Sequence, residues 1–424
     1  MKARFSTFGR ETFASMRHRN FRLFFLGQGL SQIGNWMTLV AQTLLVLKLT
    51  GSGVAIGLLA AAQFAPVLLL GPWAGLIADR SDKRKLLLTV QSLAMVQSFA
   101  LALLVFSGTP PVWAVYALAS IGGITVAFDN PARRAFVVEM VPEERVPNAV
   151  ALNTTVMTAS RIIGPTLAGL IVATAGFGWV FLLDGVSYIA VLASLWMIRT
   201  SELRPAPISP KGRGQIREGL RYVRSQGVLF VPLVMMAVVG TLAFNFSTVL
   251  PLFATRALGG DESTYTLLYS LLSVGALAGA IFAARREVVT VRTVGWAAVG
   301  FGASLVLLAM MPTLATALPV GVLVGFTSVL FLTSSTAIVQ LEAAPTMRGR
   351  VLALQAMLFL GSTPVGAPIV GWICEVAGSR VGLLVGATAT LLAGAWGLAM
   401  VGRERGTGEP ASIMVSSPST PVPT

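Results

Sequence analysis

Charge is what this chain has least of. Only 11% of its 424 residues are Asp, Glu, Lys or Arg, less than half the share of about 25% usual in globular domains. A soluble protein of this length would need far more charge to cover its surface. Cysteine is almost missing as well: the single Cys374 lies inside an apolar run, so no intramolecular disulfide can form. Histidine is reduced to His18 in the basic N-terminus, away from any catalytic constellation. There is no Cys/His cluster to ligate a metal and no Gly-x4-Gly-Lys-Ser/Thr phosphate loop. These absences argue against an enzyme, a resident cofactor and direct coupling to ATP. Acids are outnumbered, leaving a net charge of +14. The basic residues nevertheless fall in short segments between apolar runs rather than on one soluble face, which speaks against nucleic-acid binding. No cleavable signal peptide is expected, because the first apolar run continues past Trp36 without a cleavage site.

What the chain does have is apolar length: 55% of it is hydrophobic, and 43 residues are Gly. Twelve apolar runs fall at roughly 21–47, 54–78, 86–107, 111–130, 153–175, 178–198, 229–253, 264–284, 291–311, 314–338, 350–374 and 380–401. Each is long enough to cross about 30 Å of hydrocarbon as a helix. Continuous runs predict helices rather than the alternating strands of a barrel. An even number of spans puts both termini on one side. Of 31 Lys and Arg, 27 fall on that side, 3 on the other (Lys48, Arg256 and Arg380), and Arg161 reads as a helix start. The positive-inside rule then makes both termini cytoplasmic.

The expected organisation is a cytoplasmic N-terminus (1–20), a six-helix bundle (21–198), a cytoplasmic linker (199–228), a second six-helix bundle (229–401) and a disordered Pro/Ser/Thr-rich tail (402–424). The linker opens with the extended run Arg204-Pro-Ala-Pro-Ile-Ser-Pro. It continues with Ile216, Leu220 and Val223 opposite Arg213, Arg217, Arg221 and Arg224. That pattern fits a helix on the anionic inner leaflet or an ordinary solvated helix.

The halves repeat at an offset of 202 residues. Ala151-Leu-Asn153 aligns with Ala353-Leu-Gln355, Gly164-Pro-Thr-Leu-Ala-Gly169 with Gly366-Ala-Pro-Ile-Val-Gly371, and Thr174-Ala-Gly176 with Val376-Ala-Gly378. Three matches at one offset predict two pseudo-symmetric halves with a pathway between them.

Two motifs stand out. The first, between spans 2 and 3, reads Gly75-Leu-Ile-Ala-Asp79-Arg80-Ser-Asp82-Lys83-Arg84-Lys85. Gly75 should admit a close neighbour, Asp79 can face a helix N-terminus, and Lys83 and Arg84 can pair with a carboxylate across the interface. Asp129, near the inner end of span 4, is placed to pair with Lys83, Arg84 or Arg133; a structural or gating role and proton binding both remain open. The second motif, Arg161-Ile-Ile-Gly164-Pro165-Thr-Leu-Ala-Gly169 in span 5, combines a missing backbone donor with glycines for close packing.

Span 1 is unusually polar. Gln28, Gln32, Asn35 and Gln42 share one stripe by helical spacing. Any one amide is explained by helix–helix hydrogen bonding, but the whole stripe favours a cavity. Gln63, Asn245 and Thr248 could join it, with Trp36, Tyr188 and Phe244 as apolar walls. Asp184, read as lying near the outer end of span 6, either carries substrate or protons or simply pairs near the interface. A cavity of amides and aromatics with little charge suits a bulky amphiphilic solute.

The first motif resembles the loop 2–3 signature of the major facilitator superfamily, with Asp82 where that family commonly has Gly. Ser31-Gln-Ile-Gly34-Asn-Trp36, Leu49-Thr-Gly-Ser52, Pro131-Ala-Arg-Arg-Ala-Phe136 and Val141-Pro-Glu-Glu-Arg145 are similar to the enterobactin-exporter and transmembrane secretion effector branch. The span 5 motif resembles the antiporter signature. The resemblance implies an all-α transporter of twelve helices in the cell membrane, monomeric, working by alternating access and drawing on protons. It implies export of a siderophore- or drug-like amphiphile, with Asp79, Arg80, Lys83, Arg84, Asp129 and Arg133 as a cytoplasmic latch and Asp129 or Asp184 in proton coupling. A lysophospholipid transporter of the same fold and a non-transporting scaffold or sensor are the alternatives. If the latch reading holds, Asp79→Asn cuts transport severely with little effect on membrane insertion. Wild-type efflux by a well-expressed D79N protein would count against it.

Overall fold

The structure is a computed structural model that describes residues 13–204, 215–286 and 288–406. The N-terminal stretch, the Pro-rich part of the linker with Arg213, and the tail from 407 lie outside the described residues, as do the side chains of Ile216 and Arg217. Among the described residues every regular element is helical. Twelve spans are long and apolar enough to cross a membrane. Spans 1 to 6 are Arg19–Thr50, Gly53–Arg80, Lys83–Phe106, Val112–Glu139, Val146–Thr174 and Phe177–Met197. Span 7 is Gly227–Leu242 continued by Phe246–Leu252, and spans 8 to 10 are Glu262–Ala284, Val291–Met310 and Leu314–Glu342. Span 11 is Pro345–Leu360 continued by Thr363–Ala377, and span 12 is Ser379–Gly406. The face carrying Arg19 and Gly406 is the terminal face, and the face carrying Thr50 is the far face.

Local sequence sets the helix ends. Ser52 caps span 2 by accepting from the Ala55 amide, and Asp82 caps span 3 by accepting from Lys85. Asp82 thus does a helix-capping job at a place where the resembling family often has Gly. Asp261, Thr290 and Thr313 open spans 8, 9 and 10 with reciprocal capping boxes. At Asp261, outside the membrane, the Thr264 amide donates to the carboxylate and holds its pKa below the usual value.

Two spans run further than the hydropathy reading. Span 4 continues through Pro131 to Glu139, so Arg133 belongs to the span and not to a connection. Proline costs one backbone bond, which neighbouring helices tolerate within a membrane. Span 5 begins at Val146 rather than 153, which corrects the reading of Arg161: it lies near the middle of a helix, not at its start. Within the span, Thr154, Thr155 and Thr158 return their hydroxyls to the carbonyls of Val150, Ala151 and Thr154 at 2.9 Å, so the helix absorbs its own polarity.

The repeat is visible in the backbone. Gly176 and Gly378, 202 residues apart, both take positive φ, 93° and 90°, and each opens the last span of its half. Gly164 packs on span 1 and Gly366 on span 7. Gly169 meets Thr266 of span 8, and Gly371 meets Gly53 of span 2. Each motif helix therefore touches the first span of its own half and the second span of the other.

The halves are clasped at the far face. A Cβ on Gly57 would lie 2.5 Å from the Ala367 carbonyl oxygen, so spans 2 and 11 approach backbone to backbone. Thr166 and Ser270 join spans 5 and 8 at 2.8 Å. Glu375 accepts from the Gly53 amide at 2.6 Å and lies 3.6 Å from Arg256, which also donates to the Gly51 carbonyl. The same helices are free at the other end: a Cβ on Gly71 or Gly75 of span 2, or Gly349 of span 11, would meet nothing within 4 Å. The expectation that Gly75 admits a close neighbour is therefore corrected for this conformation, because the halves part toward the terminal face.

The linker helix, Gln215–Ser225, docks on the terminal end of span 11. Glu218 pairs with Arg350 at 2.8 Å, the Tyr222 hydroxyl accepts from the Ala344 amide at 3.1 Å, and Val223 is buried.

Candidate functional site

The residues singled out by sequence separate into three groups. The first lies at the terminal face of the first half. Lys83 pairs with Glu139 at 3.0 Å, and both side chains are largely buried. Arg84 donates to the carbonyls of Leu195 and Trp196 at 2.7 and 3.2 Å, satisfying the orphaned C-terminal carbonyls of span 6. Asp129 pairs with Arg133 at 3.0 Å one turn along span 4 and accepts from Gln91 at 2.7 Å. Arg133 also donates to Asn130. Asp79 is half-buried at the end of span 2, and Arg80 is exposed.

Of the three partners expected for Asp129, the structure uses Arg133 and not Lys83 or Arg84. All these bonds stay inside the first half. Glu139 is not among the sequence candidates, because the apolar run of span 4 stops at residue 130. Carried past Pro131, span 4 delivers Glu139 to the depth of Lys83 at the start of the antiparallel span 3.

The second group is buried within the first half. Asp184 is 1% exposed and accepts from Thr38 and Ser98, both at 2.7 Å. It lies two turns inside span 6 and is enclosed by spans 1, 3 and 6, with Gly34 packed directly on it. It therefore neither pairs at the outer interface nor faces the other half. Tyr188 is likewise a core residue, packed with Phe24 and Phe136, and not a cavity wall. Gln42 accepts from Gln63 at 2.7 Å, tying spans 1 and 2. That is the helix–helix explanation for one member of the stripe. Gln28 and Gln32 are also buried, and neither end of the Gln28 amide has a partner among the described residues.

The third group lies on spans 1, 5 and 7. Asn35 and Trp36 are half-buried near the middle of span 1. Arg161 stacks on Trp36, 5.4 Å from the ring centroid. One turn on, Gly164 and Pro165 are buried against span 1, and beyond them Gly169 meets span 8. Span 7 breaks between Leu242 and Phe246. At the break Phe244 meets Phe246, Phe301 and Phe359 with ring centroids 5.0–5.9 Å apart. Asn245 donates to the Thr241 carbonyl at 2.7 Å, leaving its oxygen without a partner, as is the buried Thr248 hydroxyl. Discontinuous spans at mid-membrane are where transporters present polar groups to a solute. Among the described residues no group of His, Cys, Asp and Glu could hold a metal ion.

The buried Lys83–Glu139 pair is the sharpest test of what holds the terminal face of the first half. Lys83→Met or Glu139→Gln alone should cost about 3–5 kcal/mol by stranding the other group. The double variant K83M/E139L should recover most of that in thermal unfolding of the detergent-solubilised protein. Unchanged melting in both single variants would refute the assignment.

Comparison with known proteins places the chain. A family model described as transmembrane secretion effector matches residues 10–412. The staphyloferrin A transporter of Staphylococcus aureus (strain NCTC 8325 / PS 47) is 25% identical over 60% of this chain and 64% of its own length, just under two thirds of that relative. The multidrug efflux pump Tap of Mycolicibacterium fortuitum is 28% identical over 85% of this chain and 90% of its own. Among solved structures, a bacterial homolog of the human lysosomal transporter Spinster, inward-facing and unoccupied, superposes with a TM-score of 0.72 at 14% identity, covering 90% of this chain and 96% of that one. That likeness establishes the fold. The chain belongs to the transmembrane secretion effector family and has the major facilitator fold, a multi-pass membrane protein of twelve helices.

Proposed function

We propose that this protein exports a bulky amphiphilic organic solute, siderophore- or drug-like, across the cytoplasmic membrane by alternating access, coupled to protons. The observation that carries the reading is the contrast along spans 2 and 11: their glycines are in backbone contact at the far face and open at Gly71, Gly75 and Gly349. A seam of that kind is expected if the halves rock about a central site. The excess of Lys and Arg on the terminal face supports a cytoplasmic placement for it; in that reading the open side faces inward. The relatives named for a siderophore and for multidrug efflux support the solute class.

The latch takes a revised form. Lys83–Glu139 and the Arg84 bonds to span 6 hold the terminal ends of spans 3, 4 and 6 as one block. Asp79, Arg80 and Gly75 on span 2 present that block to the second half when the inner side closes. Asp129 and Asp184 remain the proton-coupling proposals, acting from inside the first half rather than through contact with solute.

Proton movement in proteoliposomes under an imposed pH gradient tests the reading, with siderophores, macrolides and lysophospholipids added in turn. The expected result is proton flux that depends on an added siderophore or macrolide. Solute movement without proton flux would remove proton coupling. Response to lysophospholipid alone would favour lipid transport, and silence across the panel with a folded protein would refute the proposal.

A further inference from the structure

Arg161 is a charge the fold does not account for. It sits near the middle of span 5, where an arginine is costly unless it reaches water or a partner. The other cations of this half that are buried or half-buried within its spans have a partner: Lys83 has Glu139, Arg133 has Asp129, and Arg84 has two carbonyls. Among the described residues Arg161 has only the face of Trp36, and its buried Nε has no hydrogen-bond partner.

The buried carboxylate of span 6 is turned away from it. Asp184 lies across span 1: Gly34 and Thr38 face the carboxylate, whereas Trp36 between them in sequence faces Arg161. The fold itself does not need the charge, since Thr363 occupies the equivalent place in the second half, 202 residues on. Nor is the guanidinium isolated from a route. Thr154, Thr158 and Arg161 follow i, i+4, i+7 along one face of span 5, with Thr154 exposed and Thr158 half-buried, leading from the terminal face. Thr166, further toward the far face, bonds to Ser270 of span 8.

We propose that Arg161, backed by Trp36, binds the anionic head of the transported amphiphile, and that a carboxylate is the group it takes. A planar guanidinium matches a carboxylate through paired N–H donors, and its other face remains free to stack on the indole. This rests on the transport reading above, and it narrows the solute from amphiphile to organic anion. The asymmetry follows: the charge sits on the first half, and the aromatic cluster around Phe244 at the break of span 7 takes the apolar body.

Binding and transport are measured separately so that the two ideas fail separately. The probes are dansylaminoundecanoic acid and its neutral primary amide, titrated into purified protein in phosphatidylcholine nanodiscs. Wild type should bind the carboxylate at least about tenfold more tightly than the amide. Arg161→Gln should bring the carboxylate to the level of the amide without weakening the amide. Arg161→Lys should keep most of the preference, which separates lost charge from lost fold. Equal binding of both probes by wild type, no carboxylate binding, or a preference that survives in R161Q would overturn the proposal. Loss of carboxylate binding on adding phosphatidylglycerol to the nanodiscs would assign the site to a lipid headgroup and overturn it too. A carboxylate preference without movement of the probe across liposomes would leave the anion site standing and refute secondary transport.

Discussion

Everything in this molecule hangs on how closely two helices can approach where hydrocarbon gives them no reason to associate. Lipid tails are as apolar as leucine, so spans from different halves are held by packing and hydrogen bonds alone. At the far face this chain supplies both. Gly53, Gly57 and Gly371 remove the side chains that would separate spans 2 and 11. Thr166–Ser270 and the Arg256–Glu375–Gly53 cluster add polar bonds. Such contacts are individually modest, which is what a seam that opens and closes requires. Larger residues would fix the halves apart, and a denser polar network would fix them together.

Inside the first half the logic is reversed. Lys83–Glu139, Asp129–Arg133–Gln91 and the Thr38–Asp184–Ser98 triad are buried and internal to one bundle. They tie spans 1, 3, 4 and 6 together, as the proposed rocking of the halves would require. The second half relies on apolar packing and the clustered phenylalanines around Phe244. Arg161 is the exception in the first half, set against the Trp36 ring.

The number of spans, their order and the repeat were legible in the sequence because hydropathy and glycine spacing are local and repeated signals. Gly176 and Gly378 show how far that goes: the same φ recurs at the offset read from sequence. Boundaries set by polar residues were not legible. Span 5 begins at Val146, ahead of its apolar run, which puts Arg161 mid-helix rather than at a start. Span 4 runs past its apolar run to Glu139, the partner of Lys83. Asp184 was misjudged for a different reason: helical spacing gives the face a residue occupies, but not which neighbour covers it. The amide stripe of span 1 divides in the same way, with Gln42 satisfied by Gln63 and Gln28 left without a partner.

Locking the far-face seam is the most direct test of alternating access. In a Cys374→Ser background, Thr166→Cys and Ser270→Cys introduce thiols where the two hydroxyls now lie 2.8 Å apart. The oxidised protein should form the cross-link across the halves and lose solute transport, and reduction should restore it. Transport undiminished in the fully cross-linked protein would contradict the claim that this seam must open.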